Sequence, residues 1–395
     1  MKTIEGKLTD AIIDLLRTVL AEEKELSRGS ADILRKNLNL IYDISKRNDM
    51  AHLVGFALEK HGLISPEDAV FAKFQEQQYL AIYRCEGMEY EIASMCETLE
   101  SHGIDFILLK GAVIRGLYPE GWMRTSSDID ILVRSESIDN ADDLLVERLG
   151  YKRYTEGTHD RTFFSEGGVH VELHFSLVED DRANNAAEVL RDVWSYAIRT
   201  GNGEHEYRLP DELFYFYHIA HLAKHMAYAG SGIRPFLDLW LINKNMPAPS
   251  DKKEKLLRRG KLDRFASLCD DLSTYWMEGK RATADVEELE LFVINCGIYG
   301  SEENRIAIER KKRGGTFGYV WRRLFMPYDV LKKRHPALRK HKWLMPFFQI
   351  ARWFRLITGE KTKQAINEIK TSAATSQEDA DDIHRFLTKI GLKEK

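Results

Sequence analysis

The sequence has little cysteine and almost no excess of either charge. Four cysteines occur in 395 residues, without a C-x-x-C pair: Cys85, Cys96, Cys269 and Cys296. Scattered thiols of this kind fit a reduced cytosolic protein better than a disulfide framework. The formal net charge is −4, so the overall charge does not imply that the whole chain acts as a polyelectrolyte.

Long hydrophobic runs are also missing. No apolar stretch approaches the roughly 18–20 residues that cross a membrane, and residues 1–7 contain no hydrophobic signal core. We therefore expect a cytoplasmic protein without a transmembrane segment. Hydrophobic residues make up 44% and charged residues 30% of the chain, as in globular proteins, and the length allows several domains with sizeable cores.

Hydrophobic periodicity divides the chain into four regions. Helical spacing of apolar residues predicts a helical region over 1–102, and alternating strand and helix patterns predict a core over 103–182. A second helical region over 183–300 is expected to pack on this core, and a basic, aromatic and helical region covers 301–395. The predicted fold class is α+β, a mixed α/β core with a small sheet of about five strands between helical regions.

Two details of the helical regions are predicted from local patterns. Asp49 precedes an apolar helical stretch and is expected to cap that helix. The helical spacing over 251–279 predicts one continuous helix.

Two carboxylates stand two residues apart at the start of an apolar run. Asp128 and Asp130 alternate with Ile129, Ile131 and Val133, and residues i and i+2 of a strand point to the same face. Adjacent carboxylates repel each other unless a positive charge lies between them. Mg²⁺ meets that need, since it binds one or two carboxylates together with substrate phosphates. The pair therefore indicates metal-dependent chemistry on a nucleotide, against the alternative of solvated acids at a strand edge.

A glycine turn precedes this pair. An apolar run over 106–109 ends in Lys110 and Gly111, and a short helical pattern over 112–118 follows. A strand, a glycine and a helix start leave backbone N–H groups free, and phosphate binds well to such groups. The turn is therefore a candidate phosphate site.

A third carboxylate follows downstream. Residues 169–175 alternate strictly between apolar and polar side chains, which predicts a strand with His170, Glu172 and His174 on one face. Glu172 is then placed to join the two aspartates. The histidines are expected to orient Glu172 or to contact an acceptor, with ordinary polar-face residues as the alternative.

Together these motifs resemble the nucleotidyltransferase superfamily of the DNA polymerase β type. The resemblance covers residues 104–180. Within the superfamily, this stretch is similar to an uncharacterised bacterial branch with L-K-G, D-I-D-[IL]-L-V and V-E-L-H-[FW] motifs. The superfamily usually carries Gly-Gly-Ser or Gly-Ser after its first strand, whereas this chain has Lys110-Gly111-Ala112. In this chain another side chain would bind phosphate in place of that serine. The candidates are Lys110, Arg124, Ser126 and Ser127.

The resemblance implies an enzyme that moves an NMP from an NTP, such as ATP, to an acceptor and releases pyrophosphate. Asp128 and Asp130 are predicted to hold Mg²⁺ or Mn²⁺, and Glu172 is predicted to be a third ligand or the base that takes the acceptor's proton. The residues predicted to bind the nucleotide are Lys110, Gly111, Arg124 and Ser127. The acceptor, a small molecule, a protein or an RNA, stays open, as does the oligomeric state.

A histidine-rich helical stretch lies in the second helical region. His218, His221 and His225 are spaced to share one side of a helix, and an R-x-x-x-D-L pattern that the family also carries follows at Arg234 and Asp238. These side chains, His221 and His225 included, are expected to contact the nucleotide or the acceptor. A zinc site and a purely structural buried network are the alternatives.

The basic region is the last predicted feature. Residues 305–355 contain fifteen Lys or Arg against two acids, Glu309 and Asp329, with aromatic residues among them. This composition allows nucleic-acid binding through phosphates and stacking; the alternatives are a helix on an anionic membrane surface and helices packed on the acidic remainder. For the whole chain, two other functions stay open: a nucleotide-binding regulatory module with weak catalysis, and an enzyme that modifies RNA, such as tRNA ends.

Overall fold

The computed structural model describes residues 3–21, 25–178, 185–297, 341–358 and 377–392, together with positions 308, 328, 331 and 338. Most of the basic stretch over 305–355, and with it the predicted nucleic-acid contact, lies outside these residues. The chain divides into two compact units, whose segments are Met1–Lys224, Gly232–Ile298 and Gly391–Lys395 for the first and His225–Ser231 and Tyr299–Ile390 for the second. No helix in the described ranges is long and apolar enough to cross a membrane.

Five helices precede the sheet in the first unit. They are α1 Ile4–Leu20, α2 Arg28–Lys36, α3 Leu38–Arg47, α4 Ala51–Lys60 and α5 Phe71–Ser101. Helix α1 begins at Thr3, whose hydroxyl accepts a hydrogen bond of 3.1 Å from the N–H three residues later. On the 31-residue helix α5, Met95 and Leu99 are fully buried and pack in the core of the sheet.

Asp49 does not cap α4, so this local prediction was wrong. The helix begins after Met50, which makes no side-chain capping bond, and Asp49 has a φ of 54°, in the left-handed region. Its carboxylate instead accepts hydrogen bonds from the Thr125 hydroxyl at 2.8 Å and from the Arg234 guanidinium. A charge-assisted contact with a distant arginine replaces the local cap.

Seven strands form one mixed sheet, which confirms the predicted α+β class. They are β1 Phe106–Leu108, β2 Asp128–Val133, β3 Lys152–Glu156, β4 Asp160–Phe164, β5 His170–His174, β6 Ile198–Arg199 and β7 Glu206–Arg208, in the order β3-β4-β5-β2-β1-β7-β6. The apolar residues of β2 and β5, Ile129 and Val171 among them, pack against α5 and the helix α7 at Ile138–Glu147. The polar residues that alternate with them project from the opposite face.

The sequence did not predict β6 and β7. They are two and three residues long, too short for alternation to be visible. Strand β7 pairs in parallel with β1, with Phe106 opposite Glu206, and the Phe106 N–H donates to the His205 carbonyl at 3.0 Å. The sheet therefore extends beyond β1 through residues that follow the predicted core region.

Short and long helices complete the first unit. They are α6 Gly111–Ile114, α8 Ala186–Leu190, α9 Val193–Tyr196, α10 Asp211–Tyr228, α11 Arg234–Asn245, α12 Ser250–Gly260, α13 Asp263–Glu278 and α14 Ala284–Ile294, with α10 ending in the second unit. The single helix predicted over 251–279 is wrong, because Lys261 adopts a left-handed conformation with a φ of 54° between α12 and α13. Gly260 packs closely on Phe216, where a Cβ atom would lie 2.5 Å from the ring. The second unit contains two further described helices, α15 Met345–Thr358 and α16 Gln377–Lys389.

The buried His52 predicts an acid-sensitive fold. It is 3% exposed, its Nε2 donates to the Met123 carbonyl at 2.9 Å, and burial lowers its pKa from 6.5 to about 4. Between these two pH values His52 is protonated in the unfolded chain and neutral in the folded protein. The free energy of unfolding therefore falls as the pH drops from 6.5 to 4, and His52 accounts for about 3 kcal/mol of that fall. Urea unfolding at a series of pH values should show this loss.

A His52→Gln variant tests that assignment. It removes the titrating group, so its free energy of unfolding should fall less than that of the wild type between pH 6.5 and pH 4. Parallel losses in both proteins would contradict the prediction.

Candidate active site

Two neighbouring strands bring the predicted carboxylates together. Strand β2 pairs in parallel with β5, with Asp128 opposite His170 and Asp130 opposite Glu172. Residues opposite each other in this pairing project from the same face, so all four side chains share one face of the sheet. In the described chain, two groups have ligand atoms within 4.8 Å of one another and are able to hold a metal ion: Asp128, His170 and Glu172, and Asp130, Glu172 and His174.

Asp130 is the buried centre of this cluster. It is 2% exposed, and its Oδ1 accepts from Lys110 Nζ at 2.6 Å and from His174 Nε2 at 2.8 Å. Burial alone would raise the pKa of Asp130, but Lys110 and His174 outweigh it and hold that pKa below its ordinary value. Asp130 is therefore ionised.

His174 joins two carboxylates. Its Nε2 lies 3.4 Å from Glu172 Oε2 as well as 2.8 Å from Asp130. Burial lowers the pKa of His174, yet hydrogen bonds to Asp130 and Glu172 raise it more, so the pKa lies above 6.5. The same hydrogen bond lowers the pKa of Glu172. His174 thus contacts two carboxylates, and its function in orienting them stays a prediction.

Asp128 differs from Asp130 in making no ion pair with a described residue. Among the described residues, no lysine, arginine or histidine nitrogen makes an ion pair with its half-buried carboxylate. Burial, and then the charge of Asp130, raise the pKa of Asp128 above its ordinary value. An ionised carboxylate in this environment favours an added positive charge.

The Lys110–Gly111 turn is shaped by close contacts. Lys110 has a φ of 43° and a ψ of −118°, a conformation rare outside glycine. Burial opposes the charge of Lys110, but the oxygens of Tyr217 and Asp130 outweigh it and raise the pKa. The N–H groups of residues 112–114 donate to the carbonyls of Leu109 and Lys110. We expected these N–H groups to be free to bind phosphate. Instead, they make the first hydrogen bonds of the short helix α6.

A serine does lie at this turn, although it comes from another part of the chain. A Cβ atom on Gly111 would lie 2.1 Å from Ser126 Oγ and 3.2 Å from Arg124 Nη1. Arg124 Nη1 also donates to Ser126 Oγ at 2.8 Å. The Ser126 hydroxyl therefore lies against Gly111, in a turn whose own sequence has no serine.

We expect Gly111→Ala to damage the turn. The added methyl group clashes with Ser126 Oγ, and overpacking of this kind costs about 1–3 kcal/mol. Nucleotidyl transfer should fall about tenfold or more, because displacing Lys110 misaligns the reacting groups. Steady-state kinetics and urea unfolding measure the two effects. Gly116→Ala is the matched control, since a Cβ atom there meets nothing within 4 Å, and equal losses in both variants would contradict the prediction.

Arg124 and Asp238 form a buried ion pair. Arg124 Nη2 lies 3.0 Å from Asp238 Oδ2, and the side chains are 11% and 2% exposed. The Tyr118 hydroxyl donates to Asp238 Oδ1 at 2.8 Å. Arg234 makes a separate ion pair with Asp49. Asp238 thus contacts Arg124, and Arg234 contacts the neighbouring Thr125 as well as Asp49.

His218 and His221 of α10 contact residues of the first unit. His218 Nε2 hydrogen-bonds the Pro235 carbonyl at 3.0 Å, and the ring of His221 lies 6.5 Å from that of Tyr217. His225 belongs to the second unit. None of the three is in a group able to hold a metal ion among the described residues.

Two residues near the carboxylates were missed by sequence reasoning. Tyr217 is 6% exposed, and burial raises its pKa, with Lys110 and Asp130 close enough to change it further. Burial and the charge of Lys110 lower the pKa of Lys224, which also feels the charge of Glu172. The sequence did contain a sign of them, since Tyr217 and Lys224 are seven positions apart and therefore lie on one face of α10.

Paired aspartates on a central strand, a glutamate on the next strand and a lysine–glycine turn are the arrangement expected of a nucleotidyltransferase. A sequence model of the family described as uncharacterised nucleotidyltransferase matches residues 35–277. The chain belongs to this family, and the protein is a nucleotidyltransferase. The match extends well beyond the residues 104–180 that carried the resemblance.

Other comparisons add little. Curated proteins yield no match. A similar solved structure is the solution structure of the antibiotic-resistance factor ANT(2'')-Ia, with 14% identity and a TM-score of 0.34, over 47% of this chain and 96% of that one. A likeness at this level carries no argument about the reaction of this chain.

Proposed function

We propose that the protein transfers an NMP from an NTP to a hydroxyl or phosphate of an acceptor, with a divalent metal ion held by Asp128 and Asp130, and with Glu172 as a third ligand or as the base. The observation that carries the proposal is the parallel pairing of β2 with β5, which places these carboxylates on one face. In the transfer, an acceptor oxygen bonds to the α-phosphorus while the bond to the bridging oxygen breaks. Pyrophosphate leaves, and the acceptor's proton passes to Glu172.

Two overlapping groups of donors fit a divalent metal ion, Asp128 with His170 and Glu172, and Asp130 with Glu172 and His174. Carboxylate oxygens of Asp128 and Glu172 lie within 4.8 Å of a His170 nitrogen, and oxygen ligands are those that Mg²⁺ and Mn²⁺ prefer. Of the three carboxylates, Asp128 is the one that makes no ion pair with a described residue, which is consistent with a ligand role. When bound, the ion supplies charge stabilisation for the phosphoryl group and the leaving pyrophosphate.

The protein's own cations complete the proposed phosphate site. Lys110 Nζ lies 2.6 Å from Asp130 Oδ1, and Lys110 precedes Gly111 in the chain. Lys224 approaches from α10, and burial keeps its pKa below the ordinary value. We assign Lys110, Arg124 and the hydroxyls of Ser126 and Ser127 to orienting the triphosphate, through direct contact or, for Arg124, through Ser126.

Label transfer tests the proposed reaction. The protein is incubated with Mg²⁺, a cell extract and either α-labelled or γ-labelled NTPs. The α-label should enter an acceptor and the γ-label should leave as pyrophosphate. Transfer of the γ-label would indicate a kinase instead. NTP binding without transfer across broad acceptor pools would indicate a regulatory module.

Mn²⁺ is expected to support the reaction as well as Mg²⁺ or better. His170 offers a nitrogen beside the two carboxylates of Asp128 and Glu172, and Mn²⁺ accepts imidazole more readily than Mg²⁺ does. Titration of each ion into protein stripped with EDTA, followed by rate measurements, checks this. Activity that survives EDTA, or that only Mg²⁺ restores, would contradict the prediction.

A further inference from the structure

A large cleft adjoins the proposed active site. It has a volume of about 950 Å³ and is enclosed by one side of α5, by Ser126 and Ser127, and by the turn that leads into His170. Ser127 precedes Asp128 in the chain, and His170 is opposite Asp128 in the sheet. The cleft therefore opens next to the proposed metal ligands, and its size suits a small-molecule ligand. We call it the α5 cleft.

The lining of the α5 cleft is acidic. Among the described residues that line it are Glu86, Glu91 and Glu166, against the guanidinium of Arg84 and the imidazole of His170. Glu91 is 9% exposed and accepts a hydrogen bond from the Tyr151 hydroxyl with one oxygen. Its other oxygen, Oε1, lies 3.7 Å from the position that a Cβ atom on Gly167 would occupy. One oxygen of a buried carboxylate thus points to the wall of the cleft.

Aromatic side chains and hydroxyls complete the lining. Tyr83 and Tyr90 line the cleft and are 75% and 71% exposed. Tyr rings present a flat apolar face with a polar end, which suits contact with the face of a ring that also carries hydroxyl groups. Ser94 adds a hydroxyl from α5. Exposed tyrosines gathered at one concave surface are typical of a binding site.

We infer that the α5 cleft binds the acceptor, and that the acceptor is a hydroxyl-bearing ring compound that carries ammonium groups. The inference rests on the proposed function. Ammonium groups would bind the glutamates, a ring face would lie on Tyr83 or Tyr90, and one hydroxyl would reach the α-phosphorus beside Asp128. That hydroxyl oxygen bonds to the phosphorus as pyrophosphate leaves and its proton passes to Glu172. Polyanions such as RNA are disfavoured, because their phosphates would meet this excess of carboxylates.

Gly87→Leu is the sharpest test of the cleft. Gly87 lines the cleft, and a Cβ atom there meets nothing within 4 Å. A leucine side chain therefore begins in open space and extends into the cleft, and leucine favours the helix more than glycine does. Loss of acceptor binding in this variant cannot then be ascribed to a misfolded helix. Thermal unfolding confirms that the variant is folded.

Three sugars of similar ring size serve as probes. Calorimetry without NTP measures binding of glucosamine trimer, which is cationic, of its N-acetylated form, which is neutral, and of trigalacturonate, which is anionic. The glucosamine trimer should bind the wild type at least about tenfold more tightly than the other two. Gly87→Leu, Glu86→Gln and Glu166→Gln should each weaken its binding about tenfold, whereas Glu76→Gln, on the same helix outside the cleft, should not.

Nucleotide binding separates this inference from the proposed function. Binding of a non-hydrolysable NTP with Mg²⁺ should be the same in Gly87→Leu as in the wild type. Equal loss of NTP binding would show that the cleft holds the nucleotide and would overturn the inference, as would tighter binding of the anionic or neutral sugar. Sugar binding requires no catalysis, so a failed label-transfer experiment would refute the proposed reaction independently of these results.

Discussion

Replacing Asp128 with asparagine is expected to lower nucleotidyl transfer by about 10³-fold or more while leaving the protein at least as stable as the wild type. The loss follows from removing a proposed metal ligand, which supplies several kcal/mol of transition-state stabilisation. Stability is retained because burial and Asp130 raise the pKa of Asp128. A carboxyl whose pKa is raised on folding destabilises the folded state when it is ionised, and the neutral amide removes that cost.

Asp130→Asn should also abolish transfer, but it should destabilise the fold. Asp130 is buried and paired with Lys110 and His174. Removing its charge leaves the Lys110 ammonium without its counter-ion and His174 without its hydrogen-bonded carboxylate, at a cost of about 3 kcal/mol. The same substitution two residues apart thus has opposite effects on stability.

Thermal unfolding at neutral pH and rate measurements on both variants check this pair of predictions. Asp43→Asn, at an exposed position on α3, is the control for the substitution itself. Full transfer by Asp128→Asn would remove the basis of the proposed function. A melting temperature that falls more for Asp128→Asn than for Asp130→Asn would contradict the assignment of charges in the site.

Asp238→Ala is expected to cost about 3–5 kcal/mol of folding stability. Asp238 is 1% exposed and accepts hydrogen bonds from Tyr118 at 2.8 Å and from Arg124 at 3.0 Å. Burial raises the pKa of Asp238, but Arg124 and Arg234 outweigh it, so the pKa lies below its ordinary value. The ion pair therefore stabilises the fold at neutral pH, and that stability is lost as the pH falls through the lowered pKa.

The double variant Arg124→Met with Asp238→Leu separates pairing from packing. It removes both charges, so it should be more stable than Asp238→Ala alone, which leaves Arg124 buried without a counter-ion. Urea unfolding of the variants measures the difference. A loss below about 1 kcal/mol in Asp238→Ala, within the range of a surface salt bridge, would show that the pair is not structurally important.

Period-2 alternation was enough to predict which residues of β2 and β5 share a face. Asp128, Asp130 and Glu172 each follow from their own strand, since side-chain direction in a strand is a local property. Local rules failed where a distant partner determined the conformation, as at Asp49, which binds Arg234 instead of capping α4. They also missed β7, whose three residues become a strand only by pairing with β1.

The sequence by itself determined the class of protein, the strands that carry the carboxylates and the residue types that such chemistry needs. Only the tertiary structure decided which charges meet. It pairs Lys110 with Asp130, leaves Asp128 without an ion pair among the described residues, and puts Ser126 against Gly111. It also brings α5 beside the active site to form the acidic cleft. The physical reason is that electrostatic and steric contacts act over a few ångströms in space, whereas these residues are up to tens of positions apart in the chain.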